Sequence, residues 1–489
     1  MQFPLLSVII FIPLVAGLAI LLFPADRRDW IRGTALGAAS LTLLLSFILY
    51  LSYDSTAANY QFLEEMPWVP ALGISYHMGV DGISVPLVLL AGIVVFCGVL
   101  ISWNVEERPR EFFAFLLFLA TSVNGVFCSL DLFQLFFFFE LAVFPKYLMI
   151  INWGYAKTRE YGAMKLTLYL FVGSMISLLG ALAIYFGSGA RTFDLLVLEK
   201  AGFPANFQLM WFPVVFIGFA VLGGIFPFHS WAPDGHVAAP TAISMILAGV
   251  EMKVGAFAAL RVAIMLLPQG AHYWAPLILV LGTINVVYGA LIAMVQTDFK
   301  YVIGFSSVSH MGLVLIGFAT LSKEGLLGAG MQMFSHGVMT ALFFSIVGMV
   351  YDRAHTRDIS KLGGLFPKMP WAAIGFIVGG LVSMGMPGFS GFVAEFPIFM
   401  GAWRAAPWVA IIAIVGILIT AAYIFLVIRR VFFGELPAEL IKIADISVMD
   451  KIAIGLLVAT MVGVGLFPGL LSNMVQSGVN HVMSLLGGA

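Results

Sequence analysis

Charge is scarce in this sequence. Only 10% of its 489 residues are Asp, Glu, Lys or Arg, against about 25% in a soluble domain. A chain so poor in charge cannot cover itself with polar surface. The two signs nearly cancel, with 24 Lys and Arg against 25 Asp and Glu. That balance excludes a basic nucleic-acid-binding surface and an acidic disordered tail. Cysteine is almost missing: Cys97 and Cys128 lie in apolar runs without CxxC spacing. They supply no disulfide framework, zinc site or iron–sulfur ligand set. Neither a dinucleotide fingerprint on a βαβ unit nor a GxxxxGK[ST] phosphate loop occurs. What fills the chain is apolar, 61% hydrophobic and 14% aromatic. The fold class expected is an all-α polytopic membrane protein with almost no soluble domain.

A membrane helix needs about 20 apolar residues. Fourteen segments qualify: 3–24, 33–53, 83–103, 112–130, 131–152, 162–188, 209–228, 241–267, 274–296, 300–320, 325–351, 372–403, 407–433 and 449–469. Met1 to Pro24 has no basic stretch ahead of its long apolar run, so it reads as a first span rather than a cleavable signal. Alternate loops carry 16 and 5 of the Lys and Arg residues, with Lys146, Lys165 and Lys253 left inside helices. The richer set belongs in the cytoplasm, which puts both termini outside. Helix 7 is interrupted by Gly223, Gly224 and Pro227, and helix 12 by Met384-Gly385-Met386-Pro387-Gly388. These two broken helices lie five apart. Helices 4–8 and 9–13 are then expected to be two inverted five-helix repeats, since paired interruptions mark transport sites. The chain divides into helices 1–3 (1–110), a first repeat (111–267), a second (274–433) and a last helix with a tail (434–489).

A charge at the bilayer centre costs about 2.5–3.5 kcal/mol on insertion scales. Six ionisable residues nevertheless fall inside helices: Glu140, Lys146, Lys165, Glu251, Lys253 and Glu395. His310 and His336 lie near mid-depth in helices 10 and 11. Such a set can form structural ion pairs. It can also pass protons, because carboxylate, amine and imidazole exchange them readily, and the relay is the expectation here. Glu251 and Lys253 face different sides of helix 8. Lys165 is close enough to a helix end to snorkel. His229 and His236 are expected in a cytoplasmic loop, where their spacing does not match a zinc motif.

The ordered motifs resemble the antiporter-like subunits of respiratory complex I, NADH:quinone oxidoreductase. Phe138-Phe139-Glu140-Leu141-Ala142-Val143-Phe144-Pro145 resembles their helix 5 motif, and Pro227-Phe228-His229-Ser230-Trp231-Ala232-Pro233-Asp234-Gly235-His236 their helix 7–8 connection. Leu247 to Gly255 resembles the lysine-bearing helix 8. Gln296 to Lys300, Ser306 to Gly312 and Pro387 to Phe396 follow in order. A glutamate in helix 12 and the short tail match the M type. The resemblance implies one proton channel in a membrane arm, driven from a distance by quinone reduction. NADH, FMN, iron–sulfur clusters and quinone would sit on other subunits, with no cofactor or metal in this chain. Neighbouring antiporter-like subunits and lipid would be its partners, in a bacterial plasma membrane. The proton-transfer residues expected are Glu140, Lys253, His310, His336 and Glu395, with Lys146, where the family commonly has an apolar residue, added to them. The family pairs its helix 5 glutamate with a lysine in helix 7, where this sequence has Leu222. Lys146, beyond Pro145, is the expected substitute partner of Glu140. Subunits of Mrp-type cation/proton antiporters and of related hydrogenases or dehydrogenases share the pattern and are the alternative readings.

Overall fold

The computed structural model describes residues 3–487, so the outermost positions of the expected divisions 1–110 and 434–489 lie outside it. Thirteen helices among the described residues are long and apolar enough to cross a membrane. They coincide with thirteen of the expected segments. The remaining one, helix 12, is two shorter helices, Pro370–Ser383 and Ser390–Ala405. Helix 5 is also divided, into Leu132–Leu141 and Val143–Trp153. Helix 7 spans Ala205–Leu222, helix 8 Thr241–Ile264, helix 10 Phe299–Ala319 and helix 11 Lys323–Ala354. Helices 8 and 11 are buried along their whole apolar windows. Helices 1, 2, 6, 13 and 14 instead expose much of their apolar surface, as a lipid-facing ring must. The polar residues of helices 8, 10 and 11 are therefore the interior of the bundle.

The chain is mostly helical, as expected, with one addition and two corrections. Between helices 2 and 3 the chain folds as an antiparallel hairpin, Gln61–Val69 with Ile74–Val80. Its Glu64 accepts hydrogen bonds from the Leu6 and Ser7 amides, at 2.8 and 3.0 Å. A carboxylate thus caps the start of helix 1, where the unpaired amides and the helix dipole favour an anion. The stretch after helix 14 is a further helix, Gly469–Leu485. It buries Leu471, Met474, Val475, Gly478 and Val482 at helical spacing against helices 3 and 11. Finally, His236 does not lie in a loop. Residues Trp231–Ala238 form a short helix buried on almost every side, held at one end by the Trp231 indole donating to the Val221 carbonyl at 2.8 Å.

Candidate functional site

Helix 8 is wound wide at Leu247–Glu251 and again at Ala259–Ile264. Such π segments recur at functional sites, because they turn side chains off the regular helical faces. Lys253 follows the first of them. It is 0% exposed, and its Nζ donates to the Ala248 carbonyl one wide turn back. A main-chain carbonyl, not a carboxylate, holds this ammonium.

Helix 8 meets helix 11 where Gly249 and Gly337 cross. A Cβ on Gly337 would lie 2.6 Å from the Gly249 carbonyl oxygen, so only glycine allows the approach. The crossing brings His336 and Lys253 within electrostatic range of each other and of His236. Both nitrogens of His336, like both of His236, are buried without a protein partner. The His336 ring stacks on His310 at 5.3 Å between centroids. His310 Nε2 lies 2.9 Å from the Ser383 hydroxyl, and its Nδ1 lies 3.4 Å from Glu395 Oε1. Gln332 Nε2 reaches both His310 and Glu395, at 3.4 Å each. Ser383 ends the first half of helix 12 and Glu395 belongs to the second. The turn between them has Gly385 at φ +65°, and a Cβ there would fall 2.6 Å from Glu395 Oε2. The break in helix 12 thus lets the backbone pass close against the carboxylate.

Lys253, His336, His310 and Glu395 form one buried row through helices 8, 11, 10 and 12. Glu140 and Lys146 stand apart from it. Lys146 does not partner Glu140: its Nζ lies 2.5 Å from Glu251 Oε2, both side chains 1% exposed. The divided helix 5 and the π segment of helix 8 aim these two groups at each other, which straight helices do not suggest. Glu140 is half-buried, with Oε1 unbonded. Leu222 is buried and shares a small cavity with Phe139, Ala142 and Glu251. Lys165 does not snorkel; it pairs with Asp234 at 2.6 Å, which also accepts from the Tyr301 hydroxyl at 2.8 Å.

Sequence reading missed His236 as a member of the interior. Its signal was the apolar Val237-Ala238-Ala239-Pro240 that follows it, which is unlike a solvated loop. At the Arg357 end of the bundle a cavity of about 350 Å³ is lined by Tyr155, Lys300, Tyr351, Asp352 and Arg357. Lys300 Nζ donates to the Ala239 carbonyl at 2.6 Å and the Ser244 hydroxyl at 3.0 Å, and Ser244 donates to the His236 carbonyl at 2.8 Å. At the opposite end, Glu65, His77 and Asp194 bring three ligand-type atoms within 4.8 Å. His77 and Asp194 already bond each other there at 3.2 Å.

Residues 129–420 match the family model described as NADH:quinone oxidoreductase/Mrp antiporter, TM. An NAD(P)H-quinone oxidoreductase chain 4 of a Synechococcus species is 37% identical over 481 residues, covering 96% of this chain and 91% of that one. NADH-quinone oxidoreductase subunit M of Rhodobacter capsulatus is 36% identical, over 98% of this chain and 96% of its own. Among solved structures, a chain of respiratory complex I from Thermus thermophilus superposes with a TM-score of 0.91 at 29% identity, covering 99% and 100% of the two chains. A chain of the Mrp complex from a Dietzia species has the same fold, with a TM-score of 0.87 at 18% identity and full coverage of both.

Proposed function

The chain belongs to the NADH:quinone oxidoreductase/Mrp antiporter family of membrane subunits, and from that premise we propose that it is a proton-translocating, membrane-arm subunit of an NADH:quinone oxidoreductase. The observation that carries this reading is the buried row Lys253, His336, His310 and Glu395. Each group is costly to bury and each can take or give a proton. The stacked imidazoles leave nitrogens free on the Lys253 side and touch a carboxylate on the other. Protons enter through the cavity beside Lys300, pass His236 to Lys253, cross to His336 and His310, and leave by Glu395 at the break in helix 12. The Arg357 end then faces the cytoplasm of a bacterial cell and both termini face outward. Residues 111–267 and 274–433 act as inverted halves, each carrying one broken helix.

In this reading the chain does no redox chemistry. Oxidation of NADH through FMN and iron–sulfur clusters, and reduction of quinone, belong to other subunits. The half-exposed Glu140 lies where a neighbouring antiporter-like subunit would pack, with lipid covering the remaining apolar surface.

The test uses the whole complex in sealed vesicles. Lys253→Met and Glu395→Gln should each leave assembly and quinone reduction in place and lower the protons moved per quinone reduced. A wild-type yield in both variants would overturn the reading. Sodium–proton exchange without any redox donor would favour the antiporter alternative.

A further inference from the structure

Glu251 is an interior carboxylate that the row from Lys253 to Glu395 leaves unused. It is 1% exposed, on helix 8, two residues before Lys253 and on another side of the helix. Its Oε2 accepts from Lys146, while its Oε1 is buried without a donor. Lys146 follows the interruption of helix 5 at Ala142, and its charge also reaches Glu140 on the other side of that interruption. Glu140 Oε1 is likewise buried without a partner. One ammonium therefore stands between two carboxylates, each with an oxygen to spare. Of the three, Glu251 also lines a cavity of about 10 Å³, together with Leu222 and with Phe139 and Ala142 on either side of Glu140 in helix 5. That is about the least space one water needs.

Electrostatics limits how this trio can be occupied. With a neighbouring subunit packed over Glu140, two ionised carboxylates with one ammonium would leave an uncompensated buried negative charge, which is strongly disfavoured. The neutral trio holds one ammonium, one carboxylate and one carboxylic acid. It has two arrangements. In one, Lys146 is paired with Glu251, as the structure has it, and the proton belongs on Glu140. In the other, Lys146 is paired with an ionised Glu140 and the proton resides on Glu251. A lysine has a flexible four-carbon stem and three rotatable donors, so it can serve either partner.

We propose that Lys146 is a two-position switch shared by Glu251 and Glu140, and that one proton passes between these carboxylates each time the lysine changes partner. As the ammonium leaves Glu251, that carboxylate gains a proton; as it reaches Glu140, that acid loses one. The small cavity supplies a water position for the transfer, and the trio is neutral before and after. Leu222 keeps the rest of the space dry, so no bulk water replaces the lysine. The switch rests on the reading of this chain as a proton-translocating subunit, and it makes Glu251 a proton-transfer group of that function.

The test again uses the assembled complex in vesicles. K146M/E251Q removes both charges of the pair and leaves none uncompensated. Lys146→Arg keeps a cation that binds one carboxylate in a fixed, bidentate fork. Both should lower the protons moved per quinone to the level of Lys253→Met. Infrared difference spectra read the carboxylic acids directly. The resting acid band should vanish in Glu140→Gln, and a band that grows during turnover should vanish in Glu251→Gln. A wild-type proton yield in K146M/E251Q would make the pair structural and overturn the switch. So would a resting acid band that survives Glu140→Gln, a result independent of whether the double variant assembles. If Lys253→Met and Glu395→Gln both keep the full yield, the functional reading itself fails; if either loses yield while K146M/E251Q does not, the switch alone fails.

Discussion

Burying an imidazole with neither nitrogen bonded costs about 1–3 kcal/mol that packing alone does not return. His336 accepts that cost between Lys253 and His310. His336→Phe keeps the stacked volume and removes both nitrogens. It should fold as the wild type does, and the proton-moving step should slow by about 10²-fold, the lower end of what a positioned acid–base group contributes. Rapid-mixing measurements of proton release in vesicles check this. A second residue-scale prediction concerns His77, in the hairpin outside the spans. Burial works against its protonation, but the hydrogen bond and charge of Asp194 overcome it and hold the imidazole above its ordinary value. The stabilisation is thus complete below about pH 6.5 and is lost as pH rises through the raised folded value. Proteolysis at the hairpin should accelerate across that alkaline step, and His77→Gln should abolish the step. The residues of the row were legible in the sequence because a charge inside an apolar run is conspicuous. Their partners were not. The choice of Glu251 over Glu140 by Lys146 depends on where helix 5 is interrupted and how far helix 8 is underwound, and no residue type announces either.

Elements differ in how plainly their residues declare them. The break in helix 12 was readable because Gly385, Pro387 and Gly388 cannot continue a helix. The interruption at Ala142 and the π segments were not, since apart from Gly249 the stretches Leu247–Glu251 and Ala259–Ile264 contain ordinary helix formers. The hairpin and the terminal helix were passed over because neither is a long apolar run. The crossing of helices 8 and 11 offers the sharpest test at this scale. An alanine at Gly337 would press on the Gly249 carbonyl, which is backbone and cannot turn aside. Gly337→Ala should lower stability by about 1–3 kcal/mol, the usual cost of overpacking. It should also widen the step from Lys253 to His336 and lower the proton yield. Gly455→Ala, on helix 14 with open space around it, should change neither. Thermal unfolding of the purified complex, read beside its proton yield, separates the two sites.

For the molecule as a whole, the decisive question is which side each end faces. Helix 13 runs from Pro407 to Phe432, 26 residues, or about 39 Å, more than the hydrocarbon core of about 30 Å. Its far end returns to the loop after helix 11: the Gly364 amide donates to the Phe433 carbonyl at 3.1 Å, and the Phe366 amide to the Phe432 carbonyl at 2.9 Å. A chain that comes back by a full crossing must have gone out by one. The two halves of helix 12 therefore carry it across together, although neither is long enough alone. Nine crossings, helices 3 to 11, lie between the hairpin and the loop that holds Arg357, an odd number that puts the two at opposite ends. In the orientation proposed, the loops with 16 of the Lys and Arg residues, against 5 in the others, face the cytoplasm. Reporter fusions at Arg357 and at Glu435 should both report cytoplasm, and one at Glu65 should report the outside. Arg357 and Glu435 on opposite sides would mean that the broken helix turns back without crossing. That outcome would leave Glu395 facing the side from which its proton came, and the row could not carry protons through the membrane.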